Sequence, residues 1–346
     1  MQCVERGLLS LDEPVGRILP ELQSPDILTG FDDSGQPLLK KATKPITLRH
    51  LLTHSSGLGY AFINPLLTQY SQWKGNAPSV PQTSIKHDFL LPLTFEPGDG
   101  WDYSCSIDWA GQMVERVNGG ITLGEYMNKN IFEPLAGLKS TTFRPSQDPG
   151  LQARMCGRPL RGPDGTLVPA TPDLGLFPTR DPDDDYGGSG LYSCAEDYIK
   201  VISALLIDDG KLLKPETVKE LFRPQLPDPK YFMAVLSVPA AAQVLIPNMV
   251  QGVEWNYALG GCVAVNGIEG RGGKGLMFWS GLPNSFWVSS SSFHFSGQHG
   301  PNATKYVDRE RGVCGFYAGQ LFPPGDLPTQ ALFAQFQAAI FAQAKP

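Results

Sequence analysis

The order in which two hydrophobic periods follow one another constrains this chain more than any other feature. In the middle, Ile107, Trp109, Ala110, Met113, Val114 and Val117 recur at helical spacing and stop at Gly119-Gly120, which predicts a helix over 108–118. Thr47 stands just before Leu48, Leu51 and Leu52, and that stretch ends at Gly57, so a compact buried helix over 47–55 with Thr47 as N-cap is expected. Further helical patterns cover 123–132 and 195–206, with a proline-rich irregular stretch over 144–185. Toward the end the period changes. Runs at 257–265, 275–279, 285–288 and 312–321 are rich in strand formers and punctuated by glycine, and Leu332, Phe333, Phe336, Ile340 and Phe341 mark a closing helix over 327–344. Helices in the middle, then successive strands and a final helix, give an α+β fold with a helical insertion.

With 346 residues, 41% of them hydrophobic and 18% charged, the chain can bury a substantial core. A net charge of −6 removes the basic footprint that nucleic-acid binding needs. No run approaches the ~18 apolar residues of a membrane span, and Glu5 and Arg6 fall where a signal peptide would be apolar, so a cytoplasmic protein without a membrane partner is expected. The six cysteines, at 3, 105, 156, 194, 262 and 314, form no C-x-x-C pair and have no nearby His at ligand spacing; they read as reduced, mostly buried thiols, with no metal. Met1, Val4 and Leu8 share a helical face, yet no capping residue precedes them, so the chain reads as starting inside a helix.

Common catalytic patterns are missing. Gly187-Gly188-Ser189-Gly190-Leu191 fails the nucleophile elbow at its last position, and Gly270-Arg271-Gly272-Gly273-Lys274-Gly275 has neither phosphate-loop nor dinucleotide spacing, so no cofactor is expected. What stands out is Ile46-Thr47-Leu48-Arg49-His50-Leu51-Leu52-Thr53-His54-Ser55-Ser56-Gly57-Leu58, followed by Pro97-Gly98 and Tyr103-Ser104. Together with the strings M-Q-C-V-E-R-G-L-L, G-F-D-D-S-G, I-D-W-A-G, G-G-S-G-L and L-P-N-S-F-W, this resembles the serine β-lactamase-like superfamily of penicillin-binding proteins, class C β-lactamases and related esterases. Within it the likeness is to fungal acyltransferases of the lovastatin side-chain transesterase type, and it covers essentially the whole chain.

The resemblance implies a β-lactamase/transpeptidase-like fold: an antiparallel sheet domain from residues 1–19 and 186–346, and a mainly helical, loop-rich domain from 20–185. It implies acyl transfer through a serine ester, from a thioester or ester to an alcohol or water, in secondary metabolism; the partners would be a small-molecule acyl donor and acceptor, with an acyl-carrier domain as one candidate donor. Tyr103 would relay the proton, and its blander reading is a core tyrosine. Trp279-Ser280-Gly281 would be the third motif, with a strand amide near Gly281 completing the oxyanion site, and Trp287 would line the acyl pocket unless it is a core residue. Cys105 replaces the usual Asn two positions after the tyrosine, which disfavours β-lactam hydrolysis. His54, Ser55 and Ser56 would only terminate a structural helix. By the same resemblance the Ser-x-x-Lys pair falls ahead of residue 1, leaving the N-terminal part of the fold truncated and the C-terminal aromatics Phe333, Phe336 and Phe341 short of cover. The one Ser-x-x-Lys string present, Ser71 to Lys74, is followed by Gly75 and Pro78, which cannot continue a buried helix. The competing class is a binding protein that keeps the pocket without the chemistry.

Relatives of this type run from S-F-W straight into an aromatic and V-D-R, whereas here the 18 residues Val288 to Lys305 intervene. The stretch reads either as a translated intron or as a surface hairpin insertion, lying between antiparallel strands that end at Trp287 and restart near Tyr306. On the intron reading, transcript sequencing should find messages lacking the corresponding 54 nucleotides, and deleting the 18 residues should leave stability level or higher. Reads that all retain them, with a deletion variant that fails to fold, would make the segment a working part of the protein.

Overall fold

A computed structural model describes residues 1–76, 83–169, 181–246, 249–281, 285–290, 307–308 and 313–343. Its first helix, α1 (Gln2–Glu5), lasts a single turn before Gly7 takes φ +69°. The helical face predicted from Met1, Val4 and Leu8 therefore does not persist: Leu8 is exposed, and Cys3 and Leu9 are the buried pair. Strands β1 (Asp26–Phe31) and β2 (Pro37–Lys41) form an antiparallel hairpin whose turn is fixed by Asp32, whose carboxylate accepts the Ser34 and Gln36 amides at 2.9 Å each.

Helix α2 (Leu48–Leu52) starts as expected at Thr47, in a capping box closed by His50. It stops three residues earlier than its sequence pattern. Thr53 turns its hydroxyl back onto the Arg49 carbonyl at 2.8 Å, and His54 takes φ +55°, a left-handed conformation that ends the helix before Gly57 is reached. Helices α3 (Pro65–Trp73), α4 (Ile85–Phe89), α5 (Ser106–Val117) and α6 (Leu123–Met127) follow; α6 opens with a Thr122/Glu125 capping box and runs into a wider turn over Asn128–Phe132. The apolar faces of α2 and α5 meet in a first core built around Trp109, Leu51, Leu19, Ile46 and Tyr186.

The irregular stretch holds one short helix, α7 (Pro149–Gln152), and a small hairpin, β3 (Pro159–Arg161) with β4 (Leu167–Pro169). Helices α8 (Ala195–Ile207), α9 (Pro215–Phe222), α10 (Lys230–Leu236) and α11 (Pro239–Leu245) come next. The last three escape the sequence reading because two of them open on proline, which is tolerated in a first turn and also signals loops. Arg49 ties α2 to this region through ion pairs with Asp12 (2.7 Å) and Glu220 of α9 (3.0 Å).

The sheet contains β5 (Trp255–Tyr257), β6 (Cys262–Ala264), β7 (Leu276–Gly281), β8 (Ser285–Ser290), β9 (Val307–Asp308) and β10 (Gly315–Ala318), in the order β10-β8-β7-β6-β5. These five are antiparallel throughout, and β9 lies beside β8 in parallel. The β-rich run 257–265 holds the end of β5, the turn and β6 of a hairpin, closed by the Ala258 amide on the Gly261 carbonyl at 2.8 Å. Alternation covers both faces. Cys262, Ala264, Leu276 and Phe278 pack with Trp255, Phe232 and helix α12 (Leu327–Gln343) in a second core, while Val263 and Met277 pack with Val218 and Phe222 of α9. Phe333 and Phe341 of α12 are 6% and 5% exposed, so these two do not lack cover as expected. Strand β8 also continues past Trp287 to Ser290, pairing with Leu276–Phe278, and its antiparallel partner is Gly315–Ala318; the strand nearest Tyr306 runs parallel, which corrects the predicted hairpin ends. Residues 291–306 lie outside the described residues.

Gly57 has φ +88°, and a Cβ there would overlap the Phe95 carbonyl oxygen, whereas Gly119 has φ +83° with open space around it. Gly57→Ala should cost about 3 kcal/mol in denaturant unfolding and Gly119→Ala about 1 kcal/mol. Equal losses at the two positions would remove the close approach as the reason for Gly57.

Candidate active site

The segment that ends α2 lies against the segment that opens α5, and polar side chains pair across the contact. His54 Nδ1 is 3.1 Å from Ser104 Oγ, Ser56 Oγ is 2.7 Å from Ser106 Oγ, and the Tyr60 hydroxyl donates to Asp108 Oδ2 at 3.3 Å. Ser104 and Ser106 are themselves joined at 2.8 Å. His54, Ser56, Tyr60, Ser104, Ser106 and Asp108 are all buried, so these pairs satisfy groups that water cannot reach. The turn at Pro97-Gly98 guides the second segment into place: the Gly98 amide donates to the Ser55 carbonyl at 2.8 Å, with Gly98 at φ +85°.

Tyr103 stands in the middle of this contact. Its ring lies 5.0 Å from His54, 5.6 Å from Tyr60 and 5.5 Å from Trp279, and it packs against both the first and the second core. Among the described residues no hydrogen bond reaches its hydroxyl. Burial, with the Asp108 carboxyl nearby, pushes the phenol up to about 12, so it is a protonated group at neutral pH. Trp101, Tyr257 and Trp279 complete an aromatic wall around His54, at ring distances of 5.9, 5.5 and 6.1 Å.

Of the residues singled out in the sequence, Tyr103 and Trp279 meet directly. Ser280 points the other way along β7, its hydroxyl donating to the Val244 carbonyl at 2.6 Å, while Gly281 is exposed at the end of the strand, opposite Ser285. Trp287 stands on β8 in register with Trp279; its side chain lies outside the described residues. Ser71 is buried within α3, and Lys74 follows the helix end with its ammonium 5.7 Å from the Tyr70 ring centroid, so the pair does not form a buried nucleophile helix. Among the described residues no group of acidic, His and Cys side chains is placed to hold a metal ion.

Asp108 was not singled out in the sequence, although a carboxylate between Ile107 and Trp109 on an amphipathic helix was a visible signal of buried charge. The Gly188 amide donates to its Oδ1 at 2.8 Å, and a Cβ on Gly188 would lie 2.8 Å from Oδ2, which explains one glycine of the G-G-S-G-L string. Burial raises Asp108 to about 7 against these hydrogen bonds. The neighbouring groups are held neutral by the same cause: His54 is pushed down to about 3, and the Cys105 thiol is pushed up.

A family model described as Beta-lactamase matches residues 1–339. An acyltransferase of Penicillium decumbens is 37% identical over 351 residues, covering 100% of this chain and 78% of that protein. A lovastatin esterase of Penicillium rubens is 36% identical, covering 94% of this chain and 77% of its own length. The solved structure of a simvastatin synthase mutant from Aspergillus terreus superposes with a TM-score of 0.84 at 34% identity, covering 99% of this chain and 78% of that one. The fold is of the β-lactamase/transpeptidase type.

Because the native state keeps a proton on Asp108 that the unfolded chain releases near the ordinary carboxylate value, the stability from this group is fully present below about pH 4 and is lost as pH rises through 7. Denaturant unfolding between about pH 4.5 and 8 should show a loss on the order of a few kcal/mol. Asp108→Asn keeps an acceptor for Gly188 and should flatten that part of the profile. A slope as steep in the variant as in the parent would assign it to another group.

Proposed function

The chain belongs to the beta-lactamase family, and we propose that its reaction is acyl transfer through a serine ester, from a thioester or ester to an alcohol or water, in small-molecule biosynthesis. The observation that carries the reading is the placement of Tyr103: a half-buried, protonated phenol with no hydrogen-bond partner among the described residues, held between Trp279 of the sheet and the His54 segment. A neutral phenol can give its proton to a leaving group while taking the one released by an attacking hydroxyl, so no standing phenolate is needed. The end of β7 near Gly281 supplies backbone amides for the developing oxyanion, and Trp279 with Trp287 lines the acyl side. Relatives named for acyl transfer and for ester hydrolysis both fit this chemistry, since only the acceptor differs. An acyl-carrier domain is one donor the reading admits.

The nucleophile of this mechanism is a Ser-x-x-Lys pair on a buried helix, which no described helix carries. The 346-residue chain should therefore neither hydrolyse p-nitrophenyl butyrate nor take a fluorophosphonate label. Where the transcript carries an in-frame Ser-x-x-Lys ahead of the Met1 codon, the protein expressed with it should turn over, and Tyr103→Phe should lower kcat by about 10²–10⁴. Labelling of Ser55, Ser56 or Ser71 in the 346-residue chain would overturn the assignment, and a transcript without the pair would favour a non-catalytic binding protein.

A further inference from the structure

His54 makes contacts that helix termination does not require. Its backbone carbonyl accepts the Asp102 amide at 3.1 Å, and its ring Nδ1 accepts the Ser104 amide at 3.3 Å. Asp102 and Ser104 are the two neighbours of Tyr103. We propose that His54 is the positioning residue of Tyr103, a clamp whose carbonyl and ring nitrogen hold the backbone on both sides of the tyrosine. The proposal deepens the reading of Tyr103 as the proton relay and rests on it for its catalytic meaning.

Three observations support the clamp. First, His54 sits at φ +55°, where residues other than glycine are uncommon; in that conformation its main chain and its ring serve the same three-residue segment. Second, the tautomer is fixed by chemistry. A backbone N–H can only donate, so Nδ1 must present a lone pair to Ser104 and the ring proton resides on Nε2. Third, the buried hydroxyls accommodate that state. With Nδ1 as acceptor the Ser104 hydroxyl donates to it at 3.1 Å, the Ser106 hydroxyl to Ser104 at 2.8 Å and the Ser56 hydroxyl to Ser106 at 2.7 Å, and the Ser56 oxygen still accepts the Leu58 amide at 3.2 Å. The ring is 2% exposed and enclosed by Trp101, Tyr103, Tyr257 and Trp279, so the charged form that would abolish the acceptor is suppressed.

The test uses the whole chain with ¹⁵N-labelled histidine and ¹³Cζ-labelled tyrosine, Tyr103 being assigned through Tyr103→Phe. In the parent protein, His54 should show the neutral, Nε2-protonated pattern down to about pH 4, and Tyr103 should titrate near 12. His54→Asn tolerates the left-handed backbone and offers an amide oxygen to the Ser104 amide, so the Tyr103 midpoint should hold. His54→Leu keeps the bulk without the acceptor, and the Tyr103 midpoint should fall toward the ordinary value of about 10, a change of tenfold or more in proton affinity. A lone packing role would treat both variants alike. An unchanged Tyr103 titration in folded His54→Leu overturns the clamp; so does an Nδ1-protonated His54 in the parent, which decides the matter even if His54→Leu does not fold. Failure of the functional reading looks different: in the protein expressed with the upstream Ser-x-x-Lys, Tyr103→Phe would leave turnover intact, while the titrations in the 346-residue chain still follow the clamp.

Discussion

Buried hydroxyls are costly unless each finds a partner, and here they find one another. The contact between residues 54–60 and 101–108 pairs His54 with Ser104, Ser56 with Ser106 and Tyr60 with Asp108, at steps of two and four residues along the first segment and of two and two along the second. Slipping one segment by a residue would leave several buried polar atoms unpaired, at about 1–3 kcal/mol each, so the register is fixed far more firmly than apolar packing alone would fix it. From that register the rest follows. It sets where α5 begins, where Asp108 meets the Gly188 amide, and where Tyr103 faces β7.

The electrostatic state of the site follows from the same burial. His54 is neutral because it is dry, and Tyr103 and Cys105 keep their protons for the same reason. Burial brings Asp108 close to its midpoint at neutral pH. Of the formal charges in and beside the seam, Asp102 accepts the Asn64 side-chain amide at 2.8 Å, and Arg49 is spent on Asp12 and Glu220. On the proposed reading, such a site would leave the charge that develops during acyl transfer to be met by oriented dipoles.

Much of this was legible in the sequence, for physical reasons that differ by element. The helices over 106–117 and 195–207 were visible because their apolar period is long, and the Thr47 cap because capping chemistry is local. The strands of the sheet were visible as composition, but within the run 257–265 the turn was not located, because its residues Ala258 to Gly261 include two apolar side chains that are buried. Tyr103 and Trp279 could be named through resemblance and do meet. The partners of His54 and Asp108 could not be named, since a histidine at a helix end and an aspartate inside a helix declare them only once segments some fifty residues apart are brought together.

Tyr103 and Trp101 come from the stretch that feeds the first core, yet Trp101 belongs to the second core and Tyr103 packs on both. The first core otherwise draws on residues 3–126 and Tyr186, and the second on positions from 226 onward. The second core is therefore incomplete until residues 101–103 are delivered into it. The aromatic wall around His54 exists only where the two cores meet, and its shape depends on their docking rather than on either core alone.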